Sequence, residues 1–99
     1  MISFLKQFKK NLQKKYKIQK AILFGSRARG DWLLTSDIDI ILVSDDFASI
    51  PFRRRMADVL QYWNEDIDIE ILCYTPAEFK RKKKEIGVVR QAVKEGVVI

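Results

Sequence analysis

The chain has 99 residues, 47% of them hydrophobic and 32% charged, with a net charge of +6, one cysteine and no histidine. Those figures fit a single small folded domain over residues 1–99 and exclude an extended disordered chain. Lone Cys73 excludes an internal disulfide, and the lack of histidine excludes a His-ligated metal site, a His general base and a Ser-His-Asp triad.

Phe4, Leu5, Phe8 and Leu12 recur at helical spacing among lysines, which predicts an amphipathic helix over Ile2 to Lys15. Lys20-Ala21-Ile22-Leu23-Phe24 is a short apolar run stopped by Gly25 and reads as a strand. Arg27 to Leu34 reads as a loop, with room for one helical turn near Asp31-Leu34. Asp37 through Val43 is apolar throughout after Asp39, the pattern of a central strand buried on both faces. Asp45-Asp46 then mark a loop.

Ser49 ahead of Pro51 signals a helix start, and Phe52, Met56, Val59, Leu60 and Trp63 give a helical apolar stripe to about Tyr62. Ile67 to Tyr74 alternates and then turns apolar, predicting a third strand. Thr75-Pro76-Ala77-Glu78 has the form of a capping box, opening a helix that runs through about Lys84. Gly87 breaks it, and Val88, Val89, Ala92 and Val93 predict a last helix ended by Gly96. The expected fold class is α/β, a small mixed β-sheet with helices packed on it, containing three strands.

Chemistry concentrates in two places. Asp37 and Asp39 are spaced i, i+2 on the central strand, so both carboxylates share one face. Like charges held side by side need a reason, and a bound divalent cation such as Mg²⁺ is the commonest. A plain solvated edge strand would explain the pair more blandly, but the apolar run that follows argues against an edge. Asp68 and Glu70 repeat the spacing on the third strand, opposite Ile67, Ile69 and Ile71. If the two strands are neighbours, one of these acids joins Asp37 and Asp39, and can also take a proton from an attacking hydroxyl. Gly25-Ser26 lies where strand becomes loop, so backbone N–H groups and the Ser26 hydroxyl could hold phosphates, with Arg27 and Arg29 offering planar forks to phosphate oxygens. Taken alone, a Gly-Ser pair is an ordinary turn.

Cys73, in an apolar strand, reads as core, as does Trp63 on its helical stripe. Trp32 could stack on a base or simply pack. Lysines 6, 9, 10, 14, 15, 17 and 20, and the block Lys80-Arg81-Lys82-Lys83-Lys84, suit either a polyanion or solvated helix faces. RNA contact has no interleaved aromatic platform to support it.

Gly25-Ser26-Arg27-Ala28-Arg29-Gly30 followed by Ser36-Asp37-Ile38-Asp39-Ile40 closely resembles the signature of the DNA polymerase β-like nucleotidyltransferase superfamily. Tyr74-Thr75-Pro76-Ala77-Glu78-Phe79 and the closing Glu95-Gly96-Val97-Val98 extend the likeness to minimal nucleotidyltransferases of the bacterial and archaeal type. The resemblance implies a polymerase β-like palm. It also implies triphosphate bound by Gly25 and Ser26, Mg²⁺ held by Asp37 and Asp39, and a third acid from a following strand. That register lands on Glu70, where relatives usually have aspartate. The extra methylene displaces the carboxylate by about 1 Å, enough to cost rate. Asp68 is the alternative third acid.

The resemblance further implies transfer of AMP from ATP to a tyrosine of a partner HEPN-domain toxin, with this chain as antitoxin. A small domain without room for its own acceptor module fits that arrangement, and a thin core makes a homodimer or hetero-complex plausible. A non-catalytic antitoxin that masks its toxin and a basic RNA-binding module are the competing classes. No apolar run reaches membrane-spanning length, and Lys6 interrupts the start of the chain where a signal peptide would be apolar. The cytoplasm is therefore the expected compartment.

Overall fold

In the computed structural model, residues 2–25 and 38–99 are described. Helix α1 (Ile2–Gln13) leads into strand β1 (Ile18–Phe24), and β2 (Ile38–Ser44) returns antiparallel to it. A 3-10 helix (Asp45–Ser49) and α2 (Phe52–Leu60) carry the chain over one face of the sheet to β3 (Ile69–Tyr74), which pairs parallel with β2. Helices α3 (Pro76–Lys82) and α4 (Val88–Glu95) cover the other face, and β4 (Val97–Val98) closes antiparallel on β1. The sheet is mixed, in the order β3-β2-β1-β4.

Alternation along β2 builds two cores. Ile38, Ile40 and Leu42 point to the face where Leu5, Phe8 and Leu12 of α1 and Val59 of α2 pack. Ile41 and Val43 point to the other, against Phe79 of α3 and Val89 and Ala92 of α4. Burial of both faces follows from the unbroken apolar run after Asp39. A fully buried Leu or Ile side chain contributes about 1.5–3 kcal/mol, so β2 is the strand the domain is built around.

The structure corrects the sequence reading at several points, among them β1, which starts at Ile18 instead of Lys20, and α1, which ends at Gln13 instead of Lys15. A fourth strand, β4, is present, where three strands were expected. It forms because Gly96 turns the chain tightly against β1. A Cβ there would collide with the Ala92 carbonyl oxygen and lie 2.5 Å from Ile22 Cγ2. Asp45 and Asp46 begin a 3-10 helix instead of a loop, since the Ser44 hydroxyl accepts the Asp46 N–H at 3.1 Å. Strand β3 starts at Ile69, two residues later than expected. The stripe on α2 is only partly core: Val59 is buried, but Phe52 and Met56 are 52% and 41% exposed. Arg55 is turned inward in their place. Trp63 lies past the end of α2 and packs edge-on against Phe8, with ring centroids 5.1 Å apart.

The predicted capping box is present. Thr75 Oγ1 accepts the Glu78 N–H at 3.2 Å, and Glu78 Oε1 accepts the Thr75 N–H at 2.8 Å. Cys73 is buried in the core, and burial pushes its thiol up to about 12 against a smaller opposing pull from Arg55. A thiol held protonated and inaccessible is inert. A thiol reagent is therefore expected to label Cys73 at neutral pH only on denaturation; stoichiometric labelling of the native protein within minutes would contradict this placement.

Candidate active site

Three sequence-predicted site residues meet at one end of the sheet. Phe24 is the register partner of Asp39 across β1 and β2, and Asp39 is the register partner of Glu70 across β2 and β3. Neighbouring strands lie about 4.8 Å apart, so Asp39 and Glu70 stand side by side. Alternation puts both on the face of Ile41, Leu72 and Tyr74, the side covered by α3 and α4. Asp39 is half-buried and Glu70 is exposed.

Gly25 follows β1 directly and has a left-handed backbone, φ 81°. A Cβ on it would lie 2.6 Å from Asp39 Oδ2. The glycine therefore serves two purposes: it makes the turn, and it leaves space for the Asp39 carboxylate. Gly25→Ala is expected to lose about 1–2 kcal/mol from backbone conformation alone, with further loss from the displaced carboxylate. An unaltered melting temperature in that variant would count against the close approach.

Asp68 lies just before β3, exposed, and its carbonyl oxygen accepts the Ile38 N–H at 3.0 Å. It stands one alternation step before Glu70, out of register with Asp39. Ser26, Arg27, Arg29 and Asp37, together with Trp32, fall outside the described residues. Among the described residues no three Asp, Glu, Cys or His side chains gather at one point. The donor set in view is thus two neighbouring carboxylates, one of them half-buried. Hard oxygen donors of this kind suit Mg²⁺ and not a soft metal.

At the other end of β3 from Glu70 lies a partly buried ion pair that the sequence reading missed. Arg55 donates to Glu78, to the Cys73 carbonyl oxygen at 3.2 Å and, through Nε, to the Ile50 carbonyl oxygen at 2.9 Å. It ties α2, the end of β3 and the start of α3 together. An arginine interrupting an apolar stripe was the one available signal. Burial of Glu78 opposes its ionisation, yet hydrogen bonds from Arg55 and Thr75 outweigh this and hold its carboxyl below the usual range.

The family model described as a nucleotidyltransferase domain matches residues 5–99. The chain belongs to the nucleotidyltransferase domain family. A candidate protein adenylyltransferase of Methanocaldococcus jannaschii is 29% identical over 86 residues, 85% of this chain and 84% of its own. Another from the same organism is 47% identical over 67 residues, 68% of this chain and 65% of its own. The crystal structure of a candidate nucleotidyltransferase from Sulfolobus solfataricus superposes with a TM-score of 0.70 at 26% identity, covering 99% of this chain and 78% of that one. This nucleotidyltransferase therefore has the family's α/β fold, with Gly25, Asp39 and Glu70 brought to one end of its sheet. Among its described residues no helix is long and apolar enough to cross a membrane. Most lysines of α1, and all five basic residues from Lys80 to Lys84, are exposed.

Proposed function

We propose that this nucleotidyltransferase is a Mg²⁺-dependent protein adenylyltransferase that moves AMP from ATP to a tyrosine hydroxyl of a HEPN-domain toxin, and so acts as its antitoxin. The observation that carries the reading is the direct pairing of Asp39 with Glu70 beside the cleared backbone of Gly25. The names of the archaeal relatives support the adenylyl class.

In this reading Gly25 and Ser26 bind the triphosphate, aided by Arg27 and Arg29, while Asp37, Asp39 and Glu70 are the metal ligands. Mg²⁺ bound there would polarise the phosphoryl group and stabilise the attacking and leaving oxygens. The acceptor oxygen forms a bond to the α-phosphorus as the bond to the bridging oxygen of the β-phosphate breaks. Pyrophosphate leaves, and Glu70 takes the hydroxyl proton. Beside Glu70 on the same strand, Leu72 and Tyr74 line an open cleft of about 510 Å³ with Phe52, Arg81 and Lys82. The exposed ring of Phe52 in a cleft continuing along the strand of Glu70 supports a protein acceptor over a small molecule.

The test is incubation of the chain with α-labelled ATP, Mg²⁺ and a HEPN-domain partner. The expected result is label on a partner tyrosine, lost on chelation. If no nucleotide labels the partner while an Asp39→Asn chain still neutralises it, the protein works by masking and the catalytic reading fails.

A further inference from the structure

A second cleft opens from the same glycine. Phe24 and Gly25 form one wall, and Val88, Gln91, Ala92 and Glu95 of α4 form the other, around about 440 Å³. The four α4 residues are spaced i, i+3, i+4, i+7, the pattern that normally faces a core. Here that face is half open: Ala92 is buried, whereas Val88 is 55% exposed and Gln91 and Glu95 reach solvent. An apolar floor with an amide and a carboxylate at its edge is the usual make-up of a small-molecule site, and the volume lies within the ordinary range.

We infer that this cleft holds the nucleoside of the triphosphate, with the base against Phe24 and Val88 and its edge read by Gln91. The inference rests on the nucleotidyl-transfer reading and extends it from the phosphates to the base. Four features support it. The cleft begins at Gly25, the residue beside Asp39, so a ligand whose phosphates lie at the acids can enter it without a break. Phe24 is a partly exposed ring, and a ring of this kind stacks on any base. Gln91 carries both donors and an acceptor, which matches the mixed hydrogen-bonding edge of a base. Glu95 only accepts, which suits the ribose hydroxyls.

Binding of Mg²⁺-ATP and of Mg²⁺-inorganic triphosphate is to be compared by calorimetry for the wild type, Gln91→Ala and Val88→Trp. Gln91 and Val88 are exposed, so both variants should fold. The expected result is ATP binding at least tenfold weaker in both variants, with triphosphate binding unchanged. ATP binding that is unchanged, or that falls in step with triphosphate binding, overturns the nucleoside site while leaving nucleotidyl transfer standing. A wild-type chain that binds neither ligand overturns the transfer reading and this inference together.

Discussion

Asp39→Asn is expected to lower adenylyl transfer by about a thousandfold or more, with little change in stability. Asparagine keeps the shape of the side chain but removes the charge that, in the proposed mechanism, would hold Mg²⁺, and losing that ion would remove transition-state stabilisation of several kcal/mol. Each 1.36 kcal/mol is a factor of ten in rate. Asp39 is half-buried beside Gly25, so a larger replacement would confuse loss of fold with loss of chemistry. With Asn, a melting temperature close to wild type together with undetectable transfer separates the two. Retained transfer would show that Asp39 holds no essential metal.

The largest effect on stability is expected at the Arg55–Glu78 pair. Glu78→Gln keeps a residue able to complete the capping box but leaves the buried guanidinium without its counter-charge. Because the Glu78 side chain is 29% exposed, some of that loss is recovered by solvent. A cost of about 2–3 kcal/mol is expected, or roughly 10–20 °C in melting temperature for a domain of this size. Arg55→Met is expected to cost a similar amount, and the double variant less than the sum of the two, by about 1 kcal/mol or more. Strict additivity would mean that the pair is not coupled.

The pH dependence follows in sign. The Glu78 carboxyl is held lower in the folded chain than in the unfolded one, so its contribution is complete above the unfolded pKa. It is lost as pH falls through the folded value. The gap between wild type and Glu78→Gln should therefore close on acidification below about pH 4.

Local signals carried most of the elements. The apolar run after Asp39 placed β2 at the centre, and Thr75-Pro76-Ala77-Glu78 marked the start of α3. What escaped depends on contacts distant in sequence. Arg55 reads as a break in a stripe until Glu78, 23 residues on, arrives beside it. Strand β4 has two residues, too few for a pattern, and exists because Gly96 lets the chain lie on β1. For the site, alternation within β3 shows that Asp68 and Glu70 share a face. It cannot show which one neighbours Asp39, because the parallel register belongs to two strands at once. The turn at Gly25 was legible, but the space it leaves for Asp39 was not.

That register makes Glu70 the acid to test. The decisive measurement is Mg²⁺-dependent transfer of label from ATP to the proposed HEPN-domain acceptor by wild type, Glu70→Gln and Asp68→Asn. Glu70 is the register partner of Asp39, whereas Asp68 precedes the strand, and both are exposed enough to change without loss of fold. A fall of about a hundredfold or more in Glu70→Gln is expected, with Asp68→Asn within a few-fold of wild type. Full activity in Glu70→Gln, or loss only in Asp68→Asn, would contradict the account.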